Sequence, residues 1–101
     1  MTMHYIKVTW KHQHRDDPVQ LYSELDDARW EVRKVEVFRN GSLGCASRSE
    51  SRGGTILGLA PLPLFAEIAA NPEFEPTEIA KDEFEEIWSK ATPGDGGRDR
   101  L

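Results

Sequence analysis

Cysteine is nearly absent from this chain. Cys45 is the only one in 101 residues, so no internal disulfide can form and nothing points to an oxidising compartment. It lies in a strand-like run with no base beside it in sequence, and reads as a small buried apolar residue, not a catalytic thiol. Long apolar runs are missing too. No stretch approaches the ~18 residues that cross a bilayer. The N-terminal MTMHYIKVTW has neither an apolar core nor a small-residue cleavage site. A cytoplasmic protein without a membrane segment is the expectation. Positive charge is also in deficit, with 13 bases against 18 acids and a net charge of −5. Such a chain is poorly suited to a phosphate backbone, which is held by Lys and Arg displacing counterions, so nucleic acid is not an expected partner. The length excludes a nucleotide-binding domain joined to a substrate domain, and excludes an eight-unit βα barrel.

What remains is enough for one small core. Nine aromatics are spread along the chain, and 38% of residues are hydrophobic, which argues against disorder along its whole length. The first half alternates. Ile6, Val8 and Trp10 interleave with Lys7, Thr9 and Lys11, the period-two pattern of a strand with one wet face, predicted from Tyr5 to His12. A second strand is expected from Val19 to Leu25 after the polar turn at 13–18, and Asp26-Asp27 reads as the next turn. In the third strand, Trp30 to Arg39, Val35 and Val37 fall on the opposite parity from Trp30 and Val32. One inserted residue near Arg33-Lys34 would restore a single apolar side, so a bulge is predicted there. Asn40-Gly41 then predicts a type I′ hairpin joining Val35–Arg39 to Ser42–Ala46.

The second half reads as helical. Residues 47–54 are a polar, glycine-bearing loop, and Thr55–Leu59 is a candidate short strand. Pro61 and Pro63 lead into a helix from Leu64 to Ala70 that Asn71-Pro72 must stop. After an extended linker at NPEFEP, Phe84, Ile87, Trp88 and Ala91 fall at i, i+3, i+4 and i+7 of a helix over Lys81–Ala91. Ile79 and Phe84 are spaced as a hydrophobic staple around a weak cap, Ala80. Strands first and helices after predict one α+β domain over 1–91. It would hold an antiparallel sheet of about four strands with two helices on one face, followed by a disordered tail over 92–101.

His12 and His14, with His4, Asp16 and Asp17 near, have ligand chemistry but no fixed geometry, and no metal is expected. Glu24, Asp26, Asp27 and Glu31 do not make a carboxylate pair set in a cleft, and Ser47, Ser49 and Ser51 have no histidine beside them. Gly53-Gly54 lacks the rest of a phosphate-binding loop, so no cofactor is expected. Excess acid is concentrated in residues 67–90, with two bases against eight acids. A face of that sign attracts a basic partner.

The strings YIKVTWKH, PVQLYSELDDARWEVRKVEVFRNGSLG and NPEFEPTEIAKDEFEEIW resemble a widespread, functionally uncharacterised family of short acidic bacterial proteins, across roughly residues 4–90. The chain departs from that pattern at Cys45, where tyrosine is expected, and at Ala80, where a capping serine is expected. By analogy of size and acidity alone, such proteins look similar to the immunity proteins that neutralise bacterial toxins. The expectation is a non-catalytic protein-binding domain that covers a basic toxin or effector with Glu24, Asp26, Asp27, Glu31, Arg33, Glu83 and Glu86. The alternative is a small ligand-binding domain or enzyme using His12 with Glu24 or Glu31.

Overall fold

Alternation in the first half becomes an antiparallel meander. The computed structural model describes residues 2–92. In it β1 (His4–Trp10), β2 (Pro18–Leu25), β3 (Glu31–Phe38) and β4 (Leu43–Ser47) pair in succession. Two further strands, β5 (Ser51–Arg52) and β6 (Phe74–Glu78), complete a six-stranded sheet in the order β5-β4-β3-β2-β1-β6. The helices are α1 (Phe65–Ala69) and α2 (Lys81–Ala91).

The α+β class matches the expectation, and the strand number does not. The segment read as a linker is β6, which runs antiparallel to β1 from Ile6↔Glu78 to Trp10↔Phe74. Pro76 would break a central ladder, but β6 is an edge strand with only one neighbour, where proline is tolerated. The second addition, β5, is two residues long inside the polar loop. Thr55–Leu59 is not a strand.

The expected bulge is present. Glu24 opposes Arg33 but Leu25 opposes Glu31, so Val32 is the extra residue. The turn after β3 differs from the prediction. Phe38 and Ser42 close a three-residue loop, Gly41 N–H donates to Phe38 O at 2.9 Å, and only Gly41 of the Asn-Gly pair has positive φ, at 91°. This is a type I turn ending in a left-handed glycine, not a type I′ turn, which needs φ > 0 at both residues. The loop between β2 and β3 repeats the pattern. Asp26 N–H donates to Trp30 O at 3.0 Å, Arg29 N–H donates to Asp26 O at 2.8 Å, and Arg29 occupies the left-handed position at φ 70°.

The helices lie on opposite faces, which corrects the expectation that both cover one. The face of Tyr5, Tyr22, Val35 and Cys45 receives α2, whose Phe84 is fully buried among them. Burying such a ring stabilises the fold by about 2–3 kcal/mol. Ile79 packs against the same cluster, as a staple should, and Ala80 supplies no side-chain cap. The other face, with Val8, Leu21 and Ser23, lies under α1 and the segment leading into it, and α1 buries none of its residues. Thr92, assigned to the tail, is buried and donates its hydroxyl to Trp88 O. The remainder of the predicted disordered tail, 93–101, falls outside the described residues.

Candidate functional site

On the α2 face the sheet carries a closed ionic cluster. The β2–β3 register sets Glu24 directly opposite Arg33. The Arg33 guanidinium donates to both Glu24 oxygens, at 2.6 and 3.0 Å, and to both Glu85 oxygens, at 3.2 and 2.6 Å. It also lies over the rings of Phe84 and Trp88, 4.9 and 5.0 Å from their centroids. Tyr5 Oη donates to Glu24 at 2.8 Å. Burial raises the Glu24 carboxyl, but the bonds from Arg33 and Tyr5 outweigh it and hold the group below its usual value. Burial first, then the hydrogen bond to Glu24, pushes Tyr5 up to about 12. The hydrogen bond to Glu24, opposed by burial, raises Arg33 further above its already high value. Every strong donor and acceptor here is used internally. The cluster ties α2 to the sheet, with Glu24 buried inside it and Glu85 at its exposed margin.

The opposite face is built otherwise. Glu31, 7% exposed, accepts the Ser23 hydroxyl at 3.1 Å and the Gly58 N–H at 2.6 Å. Thr55 donates to Glu36 at 2.8 Å. These two bonds lay residues 55–58 along the sheet without filling the space beyond them. Between the sheet and α1 is a cavity of about 380 Å³. Its apolar walls include Val8, Leu21, Leu62, Ile68 and Phe74, and its polar groups are Ser23, Glu31, Lys34, Glu67 and Asn71. That volume falls in the range of small-molecule sites.

Arg29 anchors the outer wall. Its N–H groups donate to Leu62 O at 3.0 Å and Pro63 O at 2.6 Å, while its own carbonyl accepts from Leu62 N–H at 2.8 Å. The left-handed backbone costs an arginine about 1 kcal/mol, and these three bonds hold it there. Residues 58–63 consequently run beside 29–31. Of the five large apolar side chains exposed among the described residues, Trp30, Leu59, Leu64 and Phe65 lie on or next to these two segments, with Leu59 at 90%, and Ile56 lies by residues 46–51. Asp27 and Glu67 flank them exposed, and Glu78 shares a shallow recess with Phe65.

The residues predicted to meet a partner are dispersed. Glu24 and Arg33 sit in the closed cluster, and Glu31 is buried on the other face. The reading of Glu24, Glu31 and Arg33 as one exposed sheet face therefore does not hold; period-two alternation assigns faces but cannot say what covers them. Asp26 is spent on its own turn, accepting from Ala28 and Trp30 N–H at 2.9 Å. Asp27 is exposed beside His4. On α2, Glu83 and Glu86 are exposed and pair loosely with Lys7 and Lys90. The acid–base alternative is not assembled either. His12 lies past the end of β1, roughly 20 Å of strand from Tyr5, the neighbour of Glu24. Its Nε2 is 2.7 Å from Pro18 O and its Nδ1 accepts the His14 N–H. Sequence reasoning missed Trp30, Leu59 and Phe65 as surface groups. The run LGLAPLPLF, with few polar residues yet too proline-rich for a buried strand, was their available signal.

One family model matches this chain: the domain of unknown function DUF6881, over residues 4–93. No curated protein and no solved structure matches it. No helix among the described residues is long and apolar enough to cross a membrane.

Proposed function

Because the chain belongs to DUF6881, a family of domains of unknown function, we propose its role from geometry: a non-catalytic protein-binding domain for a basic partner, an inhibitor of the immunity type. The observation that carries this reading is the exposure of Trp30, Leu59, Leu64 and Phe65, which lie on or next to two segments that the Gly58–Glu31 and Leu62–Arg29 hydrogen bonds hold side by side. Monomeric proteins seldom leave such a group uncovered, and buried aromatic anchors dominate binding energy at interfaces. Charge selects the partner. Exposed Asp27 and Glu67 flank these residues, and Arg29, the one base within residues 26–31 and 54–68, is spent on carbonyl oxygens. An acidic rim around apolar anchors complements a basic surface, raising the rate of association and its salt sensitivity.

The test is capture from the native cell on immobilised protein, eluted by a salt gradient. A basic protein is expected that elutes earlier as salt rises. It should be lost by the triple variant Trp30→Ser, Leu59→Ser, Phe65→Ser and kept by Glu83→Lys, Glu86→Lys on α2. A partner held equally by the triple variant, or indifferent to ionic strength, overturns the assignment.

A further inference from the structure

Lys34 and Arg33 are consecutive in β3, yet only Arg33 has its hydrogen bonds met. The Lys34 side chain is 14% exposed, and its Nζ stands 3.7 Å from Glu31 and 3.8 Å from Glu36. Both distances exceed a hydrogen bond. Two carboxylates compensate its charge, but among the described residues no acceptor lies within hydrogen-bond distance of its three donors. Such a group, largely removed from water and lining a cavity with apolar walls, is completed by an acceptor brought from outside.

The charge around it restricts what that acceptor can be. Glu31 and Glu36 flank the one ammonium, and Glu67 lines the same cavity. An anionic head would meet three carboxylates for one cation. A cationic head would face Lys34 itself and leave its donors unmet. What the ammonium lacks is an acceptor, not a counter-charge. We propose that the cavity between the sheet and α1 binds a small, neutral, mainly apolar molecule bearing a carbonyl. The carbonyl oxygen accepts from Lys34 Nζ, and the apolar body packs among Val8, Leu21, Ile68 and Phe74. This site shares the 62–68 wall with the protein-docking surface, but the proposal does not rest on that reading.

Three probes of similar size separate the chemistries: benzylacetone (neutral carbonyl), hydrocinnamate (anion) and phenylpropylammonium (cation). Each is titrated into the full-length protein while its backbone amide resonances are followed. Benzylacetone is expected to shift the amides of cavity residues and to bind about tenfold more tightly than either charged probe. Lys34→Met should remove that preference while keeping the apolar contact. Ile68→Trp, which fills the cavity from the exposed helix without disturbing the sheet, should abolish binding of every probe. The proposal is overturned if either charged probe binds as well as the ketone, or if the shifts map elsewhere. It is equally overturned if none of the probes binds up to its solubility, or if Ile68→Trp leaves binding intact.

Discussion

Arg33 and Lys34 stand on opposite faces of one strand and show what separates those faces. Arg33 has a planar fork, which fits two carboxylates and two aromatic rings at once, and α2 supplies three of those four partners, Glu85, Phe84 and Trp88. Lys34 is a point charge between carboxylates that sit just too far away, under a covering segment held at its margins. One face is a closed joint; the other keeps space and exposed apolar side chains. Adjacent basic residues in a sequence carry no sign of this difference, because it depends on which element each strand face receives.

The contrast is broken most severely at Phe84. Phe84→Ala should cost about 4 kcal/mol, since the ring is fully buried and its neighbours are fixed by the ionic cluster. Ile68→Ala, on the open face, should cost under about 1 kcal/mol. Urea denaturation midpoints measure both. Comparable losses would mean that α1 is packed as tightly as α2.

Next in size is the loss of the cations themselves. Arg33→Met leaves Glu24 buried with one remaining donor, Tyr5, and should cost about 3 kcal/mol. Lys34→Met should cost no more than about 1 kcal/mol, because Glu31 keeps its bonds from Ser23 and Gly58.

The closed face should also set the pH limits of stability. Glu24 is lower in the folded chain than its usual 4.5, so its contribution is complete above that value and is lost as pH falls through the folded value. Tyr5 is raised from 10.0 to about 12. Its contribution is complete below pH 10.0 and is lost as pH climbs through about 12. Stability followed against pH should lose part of its acid limb in Glu24→Gln and part of its alkaline limb in Tyr5→Phe. Unchanged limbs in both variants would separate the cluster from the pH response.

The smallest effects belong to the two matching hairpin loops. Nothing lies within 4 Å of a Cβ built on Gly41, so Gly41→Ala should cost about 1 kcal/mol from backbone conformation alone. Arg29→Gly relieves the same strain but releases Leu62 and Pro63. Its global stability should change by less than about 1 kcal/mol, while proteolysis within 53–63 accelerates. Equal cleavage rates in the two proteins would show that Arg29 does not hold the covering segment.

Much of the fold was legible because its signals are local. Alternation located the first three strands, the parity change in β3 announced an extra residue near Arg33-Lys34 that the register places just before them at Val32, and the stripe of Phe84, Ile87, Trp88 and Ala91 gave α2 its bounds. β6 was hidden because Pro76 reads as a breaker until the strand is known to be an edge. Gly44 gave no warning of its role: a Cβ there would run into Thr55 Oγ1 and the 52–53 backbone, an approach set by tertiary contact alone. The site was less legible. Pairing between Glu24 and Arg33 followed from strand order, but their enclosure required α2 to lie over them. Trp30 shared the alternation of a core strand and ended outside it, exposed, because the bulge at Val32 and the Arg29 turn redirect the chain.

The most direct measurement is hydrogen exchange on the chain alone and with its captured partner bound. Slowed exchange across residues 29–31 and 58–67, with α2 unchanged, is the predicted result. Protection confined to α2 and β6, with 58–67 exchanging as in the free chain, would contradict the placement of the interface on the open face.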